Sequence, residues 1–447
     1  MNAHRDIERP AAAAGADPRP PSAVSSGVGF VGLAGLFAAI IVGRMTGANG
    51  PVSAMIAVVM CGVPMVLWTI FVDKAWKNET TGLDWDRPPT PHDETREISI
   101  AKLAGLWATW AIIAAVYCIA RWYWDGQYLF AMRMLAWAAP VMFIVSIPYI
   151  FWIDRRLKEP KDGCYMFGAW LTNIGLAGER ADFDREKVIE HFRSWAVKGF
   201  FTAFMISIVP GNWFEVLRWT TDEIVSDPVA LSRFLIALLF LVDVAFATVG
   251  YVLTLRPLDS HIRSANPYTQ GWVAALICYP PFILMGAGGP LDYSQNTADW
   301  THWLADWPVA LAIVGAILVL LTAIYSWATV AFGIRFSNLT HRGILTHGPY
   351  RWTRHPAYLA KNTFWWLLTM PFIVTSGSPV DMIRNTAILA LVSGVYYWRA
   401  KTEEKHLMAD PAYREYYAWM ERNAPVPRFF AWVTGRKSKP GVMVPAE

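Results

Sequence analysis

The sequence predicts an all-α, polytopic integral membrane protein with about ten transmembrane helices, and three observations carry that prediction. Of 447 residues, 55% are hydrophobic and only 17% are charged, against about a quarter in soluble domains. The chain holds 24 Trp, 17 Tyr and 23 Phe, the amphipathic rings that populate membrane interfaces. Lys and Arg alternate in density along the chain, as the positive-inside rule requires of a correct set of spans.

In chain order, residues 1–27 are rich in Ala, Pro and Ser without periodicity and read as an unordered cytoplasmic tail. The apolar stretch that follows starts too far along for a cleaved signal peptide and opens the first span. A hydrocarbon core of about 30 Å needs about 20 apolar residues of helix, because it tolerates no unpaired backbone amide. Segments near 28–43, 52–72, 103–120, 134–153, 199–217, 233–255, 272–287, 308–333, 359–375 and 382–398 qualify. The weakest is 199–217, interrupted by Pro210, Gly211 and Asn212, which also fits a re-entrant or interfacial helix. With both termini cytoplasmic, 33 of the 39 Lys and Arg residues fall inside, and Arg44, Arg121, Arg133, Arg218, Arg233 and Arg384 fall outside. The expected location is an inner (plasma) membrane.

These spans divide the chain into a tail (1–27), an N-terminal transmembrane region of about eight spans (28–333), a C-terminal hairpin region (334–434) and a second tail (435–447). In the inside loop 154–198, Val188, Ile189, Phe192, Trp195 and Ala196 recur at helical spacing, which suits a surface-lying helix acting as a bridge between spans or as a lid. A net charge of +4 without a basic stripe argues against nucleic acid. Cys61, Cys118, Cys164 and Cys278 form no CxxC pair, and the nine histidines show neither HxxxH nor HxxHH, so no metal is expected. A Walker loop and a GxSxG elbow are also missing.

Chemistry-bearing residues crowd the C-terminus, where four of nine histidines lie between His341 and His406. THGPYRWTRHPAY precedes the ninth span and RAKTEEKHL follows the tenth, so a hairpin must bring both blocks together on the cytoplasmic side. Gly348-Pro349 suits a turn whose amides approach a ligand, and Tyr350, Trp352 and Tyr358 offer aromatic faces to an adenine or an onium charge. Arg399 and Glu403 share a helix face. The same residues also fit plain anchoring of span ends. Asp243, inside a span, suits either function or hydrogen-bonded packing. Asp259, His261 and Arg263 lie on the same side and suit either a head group or a solvated loop.

The strings themselves decide between pocket and anchor. G-P-Y-x-x-x-R-H-P-x-Y, then after one hairpin R-x-K-T-E-E and Y-R-E-Y, resembles the isoprenylcysteine carboxyl methyltransferase family over residues 340–430. The resemblance implies a membrane-embedded enzyme that uses S-adenosylmethionine. It implies a cofactor site built from His347, Gly348, Pro349, Tyr350, Arg354, His355, Pro356, Tyr358, Glu404 and Tyr413, with Arg399 and Glu403 as the catalytic candidates. Asp243, Asp259, His261 and Arg263 are the weaker candidates for the acceptor, which is expected to be a lipid or isoprenoid-like amphiphile from the bilayer. The chain departs from the family at Val426-Pro427, ten residues after Tyr416, and in its first 300 residues, so prenylated proteins are not carried over as substrate. Two rival expectations are an NADPH-dependent, sterol-reductase-like enzyme, which shares an RHP hairpin, and a transporter or lipid-binding protein.

Overall fold

A computed structural model describes residues 18–172, 183–433 and 435. Helices dominate: α1 (Ser26–Thr46), α2 (Pro51–Phe71), α3 (His92–Ile119), α4 (Tyr128–Asp154), α5 (Gly163–Thr172), α6 (Arg185–Leu217), α7 (Thr221–Ser226), α8 (Pro228–Val252), α9 (Thr269–Leu276), α10 (Trp300–Trp303), α11 (Pro308–Phe332), α12 (Pro356–Thr369), α13 (Pro379–Leu407), α14 (Pro411–Asn423) and α15 (Pro425–Val433). Among the described residues, seven helices are long and apolar enough to cross a membrane: α1, α2, α3, α4, α6, α8 and α11 extended to Arg335. The protein is thus an all-α polytopic membrane protein. A two-residue antiparallel ladder, β1 (Ser264–Ala265) with β2 (Thr340–His341), pairs two inter-helix segments.

Local chemistry fixes the ends of several helices. Asp227 accepts from the Ala230 amide at 3.0 Å while Pro228 sets the first turn of α8, and Thr220 and Glu223 form a reciprocal capping box on α7. Helix α8 is the most buried of the seven, with every residue from Leu241 to Tyr251 inside the bundle. It packs against α1, α2, α6 and α11.

Three expectations change. The amphipathic stretch 184–198 and the weak span 199–217 form one continuous helix, α6, capped by Asp184. Pro210 removes one backbone donor, and nearby the Asn212 side chain donates to the Ile208 carbonyl at 2.9 Å, so the helix runs on. The expected span 272–287 is not a continuous helix. Helix α9 stops at Leu276, and turns carry the chain through Pro280, Pro281 and Gly288 toward α10. Two prolines and a nearby glycine cluster break a helix that hydropathy alone would extend. The ninth expected span is also shortened to the 14-residue α12.

The tail reading of 1–27 also needs revision where it can be followed. Residues 1–17 lie outside the described residues, as does 435–447 apart from Gly435. Residues 20–24 are docked: the Ala23 amide donates to the Ile344 carbonyl at 2.9 Å, and the Thr346 hydroxyl donates to the Pro20 carbonyl at 2.7 Å. Pairing with residues 344–346 supplies backbone partners that composition cannot foresee.

Small residues let backbones touch. A run with G-x-G-x-x-G spacing, Gly27 to Gly32, opens α1 and serves packing: side-chain carbons there would meet Trp68, Val330, Met65 and Phe246 within 3 Å. Where α3 crosses α5, a carbon added to Gly168 would lie 1.7 Å from the Ala101 carbonyl, and one on Gly105 would lie 2.2 Å from the Cys164 carbonyl. Gly168→Ala is therefore expected to force the two helices apart and cost about 1–3 kcal/mol. A lower thermal unfolding midpoint in detergent checks this, and an unchanged midpoint would refute it.

Candidate functional site

Helices α12 and α13 form the expected hairpin, and with α11, α14 and the 334–355 segment they line one cavity of about 1240 Å³ including its open mouth. Tyr350, Arg354, His355, Pro356, Tyr358, Arg399, Glu403 and Tyr413 all line it. Two motifs more than 40 residues apart in sequence thus converge, because Pro356 starts α12 at its first turn and α13 returns with Arg399, Glu403 and Glu404 on successive turns.

Glu404 anchors the junction. Its carboxylate accepts from Arg354 Nε at 2.9 Å, from His355 Nε2 at 3.1 Å and from Lys401 Nζ at 2.7 Å. Burial pushes its acidity one way, but the hydrogen bond from His355 and the Arg354 charge win and hold the carboxyl well below the usual carboxylate range. Arg354 also reaches Glu421 on α14 at 2.5 Å and lies 4.0 Å over the Tyr417 ring. The His355 and Tyr358 rings stack 5.7 Å apart, and Tyr358 donates its hydroxyl proton to Glu403.

Arg399 is 3% exposed and ringed by Tyr279, Tyr358 and Tyr396 at 5.2–5.9 Å. One terminal nitrogen donates to Asn338 Oδ1 at 2.6 Å and to the Tyr279 hydroxyl at 3.3 Å. Its Nε faces Glu403 at 3.6 Å, close enough for an ion pair and too far for a hydrogen bond. Asn338 is itself aimed by the Tyr251 hydroxyl, 2.8 Å from both its amide and its side chain.

Of the other expected residues, His347, Gly348, Pro349 and Asp243 form no part of the lining. His347 exchanges a hydrogen bond with Ser22 at 2.7 Å, and burial lowers its pKa. Gly348 has φ +58, a side-chain carbon there would lie 3.2 Å from Trp327, and Pro349 beside it is buried. Tyr350 accepts at its carbonyl from the Tyr416 hydroxyl at 2.6 Å. Asp243 accepts from the Tyr325 hydroxyl at 2.9 Å and from Thr329, and both of those side chains line the cavity.

Asp259, His261 and Arg263 form no part of the lining. Asp259 is a buried clamp, receiving Arg335 at 2.9 Å, Thr80 at 2.7 Å and Asn78 at 3.0 Å. Arg263 pairs with it at 3.4 Å, and burial pushes the His261 imidazole down to about 3, which keeps it neutral. His406, at the end of α13, donates to or accepts from Ser264 at 2.9 Å, and burial beside His341 lowers it to about 4.

Sequence reading missed Tyr279, Tyr325, Asn338, Lys361 and Tyr396, which also line the cavity. Lys361 carried the clearest signal, an isolated cation within an expected span. Among the described residues no group of His, Cys, Asp and Glu could hold a metal.

A family model described as a protein of unknown function, DUF1295, matches residues 269–419, the stretch from α9 to α14 that builds most of the cavity. No curated protein and no solved structure matches the chain.

Glu404→Gln leaves three donors facing a neutral amide and is expected to cost about 2–3 kcal/mol of stability. A carboxylate with a depressed folded pKa stabilises above its unfolded value, near 4.3, and loses that contribution as pH falls below it. The difference in unfolding midpoint between the native protein and this variant should be flat from about pH 8 to 5 and shrink below about pH 4. A gap that widens toward low pH would overturn the assignment.

Proposed function

We propose that the protein transfers a methyl group from S-adenosylmethionine to a lipid or isoprenoid-like amphiphile, in an inner (plasma) membrane with both termini cytoplasmic. The observation that carries this reading is that residues of both motifs of the methyltransferase resemblance line a single cavity. The residues fit such a cofactor: Tyr350, Tyr358 and Tyr413 supply aromatic faces and Glu403 supplies a carboxylate. When bound, the cofactor supplies a methyl group already activated by its sulfonium.

What remains for the protein is alignment and exclusion of water. Arg354 and His355, tied to Glu404, brace the N-terminal end of α12 against α13 and α14. Arg399, pinned by Asn338 and Tyr279, can orient a carboxylate or phosphate without swinging away. The aromatic side chains around it keep the reacting region dry.

One observation favours a second reading, an NADPH-dependent reductase. Arg335, Arg342, Arg354, Lys361 and Arg399 line the cavity against Glu403 alone among carboxylates. Such a wall suits nucleotide phosphates.

Isothermal titration of detergent-purified protein with S-adenosylhomocysteine, and separately with NADPH, distinguishes the two. Saturable binding of S-adenosylhomocysteine, weakened at least about tenfold in His355→Ala and Glu404→Ala, is the expected result. Binding of NADPH alone would move the protein to the reductases. Arg399→Ala is expected to lower turnover at least about a hundredfold while leaving the homocysteine-derivative affinity within about twofold. Equal loss of both would place Arg399 in the cofactor site.

A further inference from the structure

Lys361 stands on the second turn of α12, on the cavity wall away from the Glu404 junction. Its ammonium lies 5.4 Å from the Tyr325 ring, 5.2 Å from Trp365 and 5.8 Å from Tyr396. Among the described residues no hydrogen bond or ion pair reaches it. Ring faces offset part of a positive charge but accept few hydrogen bonds, and an ammonium carries three donors. The nearby carboxylate does not meet that need, because Asp243 is occupied by Tyr325 and Thr329. The other cations of the wall are engaged: Arg335 with Asp259, Arg354 with Glu404 and Glu421, Arg342 with backbone carbonyls, and Arg399 with Asn338 and Tyr279. Lys361 is therefore the cation whose donors remain open toward the cavity.

We propose that Lys361, held between Tyr325, Trp365 and Tyr396, is a binding site for the anionic oxygen group, carboxylate or phosphate, of a single-chain amphiphile. The assignment deepens the methyl-transfer reading and rests on it for the idea that the amphiphile is the acceptor. In a cavity screened from water the ammonium meets a charged oxygen with a short, charge-assisted hydrogen bond. The exposed Leu359 on the same helix and the apolar side chains of the lining suit the chain that the head group carries.

The test uses the full-length protein in dodecyl maltoside with palmitate, hexadecyl phosphate and hexadecanol at equal mole fraction in the micelle, read as the shift in unfolding midpoint. Palmitate or hexadecyl phosphate should raise the midpoint saturably and hexadecanol should not, and the stronger of the two anions identifies the head group. Lys361→Met should weaken that response at least about tenfold, and Lys361→Arg should retain it. Equal stabilisation by hexadecanol, or a full response in Lys361→Met, would overturn the proposal. If Lys361→Met does not fold, the acid-against-alcohol comparison on the native protein and on Lys361→Arg decides alone. S-adenosylhomocysteine titrations run in parallel separate the two readings. Anion selectivity without homocysteine-derivative binding keeps the Lys361 site and removes methyl transfer, and the converse removes only the site.

Discussion

The end of the bundle that carries the cavity hangs on Arg342. Its guanidinium is buried and donates to the carbonyls of Gly250, Leu253, Ser260, Ile334 and Phe336. Those carbonyls belong to the ends of α8 and α11 and to the segments that follow them, where a helix leaves its last four acceptors without intrahelical partners. One planar cation with five donors serves these five carbonyls at once and ties the two spans' ends together. The β1–β2 ladder, the Asp259 clamp and the segment carrying Asn338 all start from that fixed point.

What could be read from the chain divides along the same line. The long unbroken apolar runs of α1, α2, α8 and α11 announce themselves, because hydropathy is local. The length of α6 does not, since Gly199 and Pro210 look like breaks until packing against Ile113 and continued helix beyond the proline outweigh them. The irregular passage after Leu276 is the opposite case: its composition is apolar, but its prolines and glycines decide the backbone. At the cavity, Arg354, His355, Tyr358 and Arg399 were legible from motif spacing. Tyr279 and Asn338 were not, because each matters only through a partner 60 or more residues away, Arg399.

The cavity joins two kinds of electrostatics. Near the mouth, charges are matched, with Glu404 and Glu421 answering Arg354, Lys401 and His355. Such a network is stiff, since losing one member strands the others. Farther along, Arg399 and Lys361 are surrounded by rings, and hydroxyls take up Asp243. Aromatic faces soften a cation's cost without spending its donors, which leaves that part receptive.

The shortness of α12 has a mechanical side. At about 1.5 Å per residue, its 14 residues span about 21 Å, whereas the 25 of α11 span about 37 Å. A hydrocarbon core of about 30 Å that suits the long helices is too thick for α12, and the mismatch falls on one flank of the molecule. A bilayer that meets the helix carrying Lys361 would have to thin there, which would tie access to that side of the cavity to membrane thickness.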